Sequence, residues 1–274
     1  MRKKNGELVC VMANQIAEAR HRLTVQEQRM ILWLIAQIEP KDKDFLSHTL
    51  AVQEFEKLTG STSGRLYEQT KSVATGLLRA VLEIREPGER SGVRFQWFSD
   101  VRYHDGTGTL TVRFHELLRP YLLELKSRFT QLALDQALKL RGGYAIRFYE
   151  LLASRQGLKR FTMTVEELRH WAGLQEGEMS RTNDLGRFVI EAAKRELDAK
   201  ADLTFDVEQL HTGRQVAAFA FRVRKNRPAK RTRKPAMAPE ALEADEHARK
   251  AGAARLRDLR TSLARRTSVT TGTK

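Results

Sequence analysis

The sequence of 274 residues predicts an α+β fold in which one structural unit occurs twice and is followed by a basic tail. Three observations lead to this prediction: residues that recur at an offset of 113 positions, helix and strand periodicities around both copies, and positive charge concentrated in the last fifth of the chain. A hydrophobic share of 41% is too high for a disordered chain, and the formal net charge of +15 is too basic for an ordinary metabolic enzyme.

The repeat consists of two short segments, HTLAVQEFEKLTG at residues 48–60 and RFTMTVEELRHWAG at residues 160–173. The matched pairs are Thr49 and Thr162, Val52 and Val165, Glu54 and Glu167, Phe55 and Leu168, Leu58 and Trp171, and Gly60 and Gly173. Each segment begins with β-prone residues, continues with apolar residues at helical spacing and ends on a glycine. This order predicts a short strand and then a short helix that a left-handed glycine terminates.

A longer amphipathic helix is predicted after each copy. The first spans about residues 64–82 and buries Leu66, Val73, Leu77 and Val81, and the second spans about residues 184–198 and buries Leu185, Val189, Ala192, Ala193 and Leu197. A short helix, a glycine-containing turn and a longer helix describe a helix-turn-helix, whose longer member is the recognition helix. Another helix is predicted before each copy, at about residues 24–38 and 143–155.

Strands are predicted after each recognition helix. In the second copy, LTFDVEQL and QVAAFAFRV flank a turn at residues 211–214, with Phe219, Phe221 and Val223 facing inward. In the first copy, turn signals separate LEIRE, VRFQWF and TLTVRF. A helix, a helix-turn-helix and a β-hairpin together form a winged helix. We therefore predict one winged-helix domain over residues 12–119 and a second over residues 120–224.

The predicted tail, residues 225–274, follows the second domain. Residues 224–274 contain 15 Lys and Arg against 5 Asp and Glu, a net charge of +10, so only +5 belongs to residues 1–223. The stretch from residue 224 to 234 is basic and lacks apolar periodicity, which is typical of a flexible linker, and a helical pattern follows Pro239. A solvated tail, a non-specific phosphate-binding segment and a partner helix are the open alternatives.

Cysteine content and hydropathy indicate the compartment. Cys10 is the single cysteine, which excludes a disulfide within the chain and a Cys-based zinc finger. The sequence has no run of 18 apolar residues and no signal-peptide pattern at its start. We therefore expect a cytoplasmic protein with no membrane partner.

Common enzyme motifs are incomplete in this sequence. No GxxxxGK[ST] phosphate loop occurs, the run from His115 to Arg119 lacks the second histidine of a zinc protease, and Thr62 stands where a nucleophile elbow has serine. No two histidines are separated by one residue, as in the metal site of rolling-circle nickases. We therefore predict no enzyme, no metal site and no cofactor. Trp97 and Phe95 are interpreted as sheet core rather than as stacking partners for single-stranded bases.

The second recognition helix is the predicted base-reading element, because the N-terminal residues of such a helix lie at base edges in the major groove. At about 100° per residue, an inward Leu185 and Val189 place Arg187 on the outer face. The residues predicted to contact bases are Arg187, Lys194, Glu191, Asn183 and Arg181. Arginine pairs with guanine, and glutamate can accept from cytosine. The alternative is an ion pair between Arg187 and Glu191 on a solvated face.

Other basic residues are predicted to bind phosphate. They are Arg214 at the tip of the second wing, Arg90 in the first hairpin turn, Arg65, Lys71 and Arg79 on the first recognition helix, and Arg195 at the edge of the second. Phosphate contacts position a protein on DNA without selecting sequence. Dimerisation is the alternative role for the first copy.

Several motifs carry a resemblance to a known family. They are Asn14-Gln-Ile, Leu23-Thr-Val-Gln-Glu-Gln-Arg29, Phe129-Thr, Tyr144-Ala-Ile-Arg-Phe-Tyr-Glu-Leu-Leu152, Thr164-Val-Glu-Glu-Leu168, and Gly213-Arg-Gln followed by Ala-Phe-Ala-Phe. With these motifs the chain resembles the replication initiators of theta-type, iteron-containing plasmids over about residues 12–224. It departs from them at Gly186, Arg187 and Phe188, where members often have a basic run, and the tail lies outside the resemblance.

The resemblance implies two winged helices that read different parts of each iteron, a dimer formed through the first domain, and contacts with the host initiator and replicative helicase. Together with the residue analysis, it predicts a sequence-specific binder of duplex DNA that initiates plasmid replication at direct repeats and represses its own gene as a dimer. A DNA-bound partition or nucleoid scaffold, or a repressor without initiator activity, is the alternative, and a nickase is a more distant one.

Overall fold

The computed structural model describes residues 3–4, 7–39, 47–59, 66–85, 91–104, 106–123, 125 and 129–226. Residues 1–228 form one unit that contains both copies of the repeat. Several predicted features lie outside the described residues: Gly60, Arg65, Arg90, the first hairpin turn before Ser91, and the tail beyond Asn226.

Eleven strands and ten α-helices are assigned within the described residues. Up to residue 123 the elements are β1 (Lys3–Lys4), β2 (Glu7–Ala13), α1 (Asn14–Glu18), α2 (Val25–Ile35), β3 (Ser47–Ala51), α3 (Val52–Thr59), α4 (Leu66–Leu77), β4 (Val81–Arg85), β5 (Gly92–Gln96), β6 (Phe98–His104), β7 (Thr109–Phe114), a 3₁₀ turn (Glu116–Leu118) and α5 (Arg119–Leu122). From residue 129 they are β8 (Phe129–Ala133), α6 (Leu134–Lys139), α7 (Gly143–Ser154), β9 (Arg160–Thr164), α8 (Val165–Trp171), α9 (Thr182–Leu185), a π-helical segment (Gly186–Glu191), α10 (Ala192–Lys200), β10 (Leu203–Thr212) and β11 (Gln215–Lys225).

The repeat in the sequence corresponds to a repeat in the structure. Strand β3 and helix α3 have their counterparts in β9 and α8, and each pair starts at the offset that the sequence indicates. Strand β3 pairs antiparallel with β7, and β9 pairs antiparallel with β11, so each short strand joins the last strand of a hairpin. The hairpins β6–β7 and β10–β11 are the wings, and the prediction of two winged helices is confirmed.

The predicted end of the first recognition helix is wrong. Helix α4 ends at Leu77, and the amides of Arg79 and Ala80 both donate to the carbonyl of Gly76 in the turn that follows. Val81 begins β4 and is 45% exposed, although it lies four residues after Leu77. Val81 is four residues after Leu77, which mimics helical spacing, but the helix has already ended there. As a β-branched residue, Val81 suits the start of a strand. Strands β4 and β5 form a separate two-stranded sheet beside the wing.

The second recognition helix, residues 182–200, is longer than predicted and is not a regular α-helix. Its middle, Gly186–Glu191, is π-helical. The fully buried residues of this helix follow each other at intervals of four: Leu185, Val189, Ala193 and Leu197. An α-helix drifts by about 40° at each step of four residues, and a wider π turn drifts the other way, so the π segment keeps this face against the core.

Helix α7 lies at the centre of the described unit and joins the two copies. The guanidinium of Arg147 donates to the carbonyls of Ala19 and His21, both at 2.7 Å, and its carbon lies 4.5 Å from the centroid of the Trp171 ring. The Trp171 indole donates to the carbonyl of Ala17 at 3.0 Å. We call this set of contacts the α7 junction. It explains why an arginine occurs in the buried, mostly apolar run at residues 144–152.

Further contacts close the unit around this junction. Strand β8 pairs with β2, so residues on the two sides of the predicted boundary at 119/120 share one sheet, and the boundary itself stays a prediction. Gly173, the predicted helix-ending glycine, has a φ of +72°, and a Cβ there would lie 2.5 Å from the carbonyl oxygen of His21. Only glycine fits at this point because both the backbone angle and the space exclude a side chain.

The folded part extends past the predicted start of the tail. Strand β11 continues to Lys225, which pairs with Leu203. The Asn226 amide donates to the carbonyls of Leu197, Asp198 and Ala201 at the end of the second recognition helix. Asn226 therefore caps this helix, and the start of the linker stays a prediction.

Candidate nucleic-acid interface

The first turn of the second recognition helix presents the predicted base-reading residues to solvent. Arg181 occupies the N-cap position with an extended backbone, and Asn183 and Arg187 follow on the exposed side. In the part of the chain that the structure describes, none of these three side chains forms an ion pair. They are therefore available to an external acceptor.

Phe188 lies beside Arg187, and the sequence analysis did not include it among the site residues. Its side chain is 49% exposed, and the guanidinium carbon of Arg187 lies 5.2 Å from its ring centroid. Gly186, Val189 and Ile190 around this pair are buried. The departure from the family pattern at residues 186–188 was the signal that could have identified Phe188.

Glu191 is exposed at the end of the π segment. The alternative that Arg187 and Glu191 form an ion pair is wrong for the described structure, because neither residue has such a partner there. The pair was expected from the spacing of an α-helix, in which residues four apart are neighbours. In the described structure the guanidinium of Arg187 instead lies against the ring of Phe188.

Lys194 and Arg195 differ in their surroundings. The Lys194 ammonium lies 2.7 Å from a carboxylate oxygen of Asp198. Burial by itself would raise the pKa of Asp198, but hydrogen bonds from Lys194 and Thr204 outweigh it and hold the pKa below its ordinary value. Lys194 is thus part of an intrahelical pair, whereas Arg195 is exposed on the neighbouring position.

The second wing carries Arg214 at its tip. Gly213 adopts a φ of +62° in the turn, and Arg214 next to it is exposed. The other two arginines of this hairpin share one carboxylate, because Arg222 and Arg224 both pair with Asp206, at 2.6 and 2.8 Å. Arg214 is therefore the free cation among the arginines of β10, β11 and the turn between them.

The first recognition helix uses its polar side chains differently. The Lys71 ammonium lies 4.6 Å from the ring centroid of Tyr103 on wing strand β6, and the hydroxyls of Thr75 and Tyr103 are 2.6 Å apart. Arg79 lies after the helix, in the turn before β4, and lines a cavity of about 590 Å³ together with Arg94 and others. Lys71 lies on α4 and Arg79 does not, so the prediction that both belong to the first recognition helix is wrong for Arg79.

Comparison with known proteins places these features in a family. Residues 9–153 match the model of "Initiator Replication protein, WH1", and residues 164–223 match that of "Initiator Rep protein, WH2". The chain belongs to this family of replication initiators. The predicted resemblance is confirmed, and so is the tandem winged-helix fold.

Individual family relatives are distant in sequence. A replication initiation protein of Escherichia coli is 23% identical over 231 residues, which cover 81% of this chain and 71% of that protein. Among solved structures, the Pi initiator protein in complex with iteron DNA matches with a TM-score of 0.65 and 18% identity, over 81% of this chain and 99% of that one. At this identity the match establishes a shared fold.

Membrane-spanning helices and metal-binding clusters are both absent from the described residues. No helix among them is both long enough and apolar enough to cross a membrane. No group of three or more His, Cys, Asp or Glu side chains within the described ranges is arranged to hold a metal ion.

Proposed function

We propose that this chain initiates plasmid replication by binding repeated sites in duplex DNA. The observation that carries the proposal is the second recognition helix, whose first turns expose Arg181, Asn183 and Arg187 without ion-pair partners in the described structure. Membership of the initiator family supports this function, and so does the fold shared with Pi, which was crystallised on iteron DNA. No catalytic step on the DNA is part of the proposal.

The residues divide into two classes in this proposal. Base edges in the major groove are contacted by Arg181, Asn183 and Arg187, because these residues lie in the N-terminal part of the helix. Glu191, exposed one turn after Arg187, contacts a base edge as well. Arg214 and Arg195 contact phosphates and fix the position of the helix. The wing supports this assignment, since its other arginines already have a carboxylate partner.

The domains also receive different roles. The second winged helix is the main DNA-reading domain, and the first contributes dimerisation and additional DNA contact. A dimer would repress the initiator's own gene, and a DNA-bound monomer would distort the origin and bring in the host initiator and replicative helicase. Site-selective binding is the step on which these later functions depend.

Footprinting on the DNA that flanks the gene tests the proposal. We expect protection of direct repeats spaced by about two helical turns, since a two-domain reader contacts successive major grooves on one side of the duplex. A plasmid that carries these repeats should replicate when the chain is supplied from a second plasmid. Salt-sensitive coating without sequence preference would instead identify a nucleoid scaffold, and protected repeats without replication would identify a repressor.

The tail is expected to raise affinity without selecting sequence. Removal of the residues after Asn226 should reduce the dependence of log Kd on log salt concentration, because fewer phosphate-bound counterions are released, and should keep the preferred site unchanged. Filter binding at several salt concentrations measures both. A chain that ends after Val223 is the matched control, since it also loses the Asn226 cap and should be less stable. Loss of site preference in the chain that retains Asn226 would contradict this role.

A further inference from the structure

Phe188 is a large apolar side chain held in solvent on the helix that we propose enters the major groove. It is 49% exposed, although the residues that follow it, Val189 and Ile190, are buried. The inference below rests on the proposed function, since it concerns what this side chain contacts when the helix lies on DNA.

The π segment accounts for the outward position of Phe188. Along residues 185–190 two buried positions precede two exposed ones, and two buried positions follow. An α-helix repeats every 3.6 residues, so a pattern of four stays in register only because the π segment adds a wider turn. The buried pairs on both sides fix Arg187 and Phe188 together on the exposed side. Segments of π helix are frequent at functional sites.

The major groove contains one apolar group that a phenyl ring can recognise, the C5 methyl of thymine. Arg187, next to Phe188, carries the guanidinium that pairs best with guanine. Because the two side chains are adjacent in the chain and 5.2 Å apart from guanidinium carbon to ring centroid, they can reach neighbouring base pairs. We propose that Phe188 reads a thymine methyl beside the base pair that Arg187 contacts.

Replacement of thymine by uracil tests this contact, because it removes the methyl and leaves base pairing intact. The site is first obtained by selection from a randomised duplex with the full chain. Each thymine of the selected duplex is then replaced in turn. We expect one position at which uracil weakens binding about fourfold, the change that corresponds to the burial of one methyl-sized group. This position should be adjacent to the base pair at which the Arg187→Ala variant loses its sequence preference.

The variant Phe188→Ala should bind the thymine duplex more weakly than the unmodified chain does, by a similar factor. It should bind the uracil duplex as well as it binds the thymine duplex. Phe188→Leu should keep part of the preference for thymine, since it retains an apolar side chain. Phe129→Ala is the matched control, because Phe129 is 47% exposed but lies on β8. This control should keep the full sensitivity to uracil.

The outcomes separate this inference from the proposed function. If the selection returns no consensus, both fail. The selection can return a consensus while the unmodified chain binds equally well with uracil at every thymine position. In that case the inference about Phe188 is overturned and the proposed function stands. If the uracil effect persists in Phe188→Ala, another side chain reads the methyl and the inference is overturned. The scan of the unmodified chain needs no variant, so tolerance of uracil at every position overturns the inference even if a substitution impairs folding.

Discussion

Arg147 in the α7 junction and Arg187 in the second recognition helix are the same residue type in opposite environments. Arg147 is 3% exposed and donates to two main-chain carbonyls, whereas Arg187 is exposed and has no ion-pair partner among the described residues. A buried arginine whose two terminal nitrogens donate to main-chain carbonyls stabilises the fold, and an exposed one without a partner is available to a ligand. The comparison teaches that partners, more than residue type or net charge, separate structural from DNA-binding arginines in this chain.

The largest effect is expected when Arg147 is replaced. Arg147→Ala leaves the carbonyls of Ala19 and His21 without their donor and removes the contact with Trp171, so the free energy of unfolding should fall by about 3–5 kcal/mol. Urea denaturation followed by circular dichroism measures this. Arg187→Ala should unfold within about 0.5 kcal/mol of the unmodified chain, as exposed substitutions do. Equal stabilities for the two variants would contradict the comparison.

Glu150, one turn from Arg147 on α7, makes the stability of the junction depend on pH. Burial raises the pKa of Glu150 to about 7, although the charge of Arg147 opposes the rise, and burial lowers the pKa of Arg147 to about 10. Between the ordinary pKa of a glutamate and about 7, the folded chain retains a proton that the unfolded chain releases. The stability that this group contributes is therefore present below pH 4.5 and is lost as the pH rises through about 7.

Glu150→Gln isolates this effect because glutamine keeps the shape and does not titrate. At pH 8 the variant should exceed the unmodified chain in stability by up to about 3 kcal/mol, since each unit of pKa shift corresponds to about 1.4 kcal/mol. At pH 4.5 the two should be equal. Thermal or urea unfolding at a series of pH values measures the difference, and a constant difference across the range would show that folding does not raise the pKa of Glu150.

DNA binding tests whether the exposed Arg187 contacts a base. Arg187→Ala should weaken binding to the selected site by about 1–3 kcal/mol and leave binding to random duplex almost unchanged, as expected for a base contact. Arg222→Ala is the control, because Arg222 is as accessible to solvent but pairs with Asp206. Fluorescence anisotropy with both duplexes gives the values. An equal loss on the two duplexes would place Arg187 among the phosphate contacts.

Local patterns in the sequence predicted a large part of the fold. The strand and helix of each repeat start where the offset indicates, because apolar periodicity and a terminating glycine act within a few residues. The separate β4–β5 sheet and the partners of Arg147 could not be predicted in this way. Those carbonyls lie more than a hundred residues away in the chain, and periodicity contains no information about such contacts.

The candidate site was predicted less completely than the fold. The exposure of Arg187 followed correctly from the inward position of Leu185 and Val189. Phe188 was missed as a site residue, and the expected ion pair between Arg187 and Glu191 was wrong, because the guanidinium of Arg187 lies against the Phe188 ring instead. The π segment itself was also not expected. The interval of four between buried residues was visible in the sequence and could have indicated the wider turn.

The smallest expected effect tests Lys194, which the sequence analysis placed among the base contacts. Because Lys194 pairs with Asp198, the comparison assigns it to the helix itself, and Lys194→Ala should change the stability and the affinity for the selected site by about 0.3–0.5 kcal/mol each. Arg195→Ala, one position further and exposed, should lower affinity and salt dependence more than Lys194→Ala does, since Arg195 has no competing carboxylate in the described structure. The same anisotropy titrations at several salt concentrations decide between them. If Lys194→Ala weakens specific binding as much as Arg187→Ala does, the ion pair between Lys194 and Asp198 opens on DNA. An ion-pair partner in the free protein would then not distinguish structural cations from DNA-binding ones.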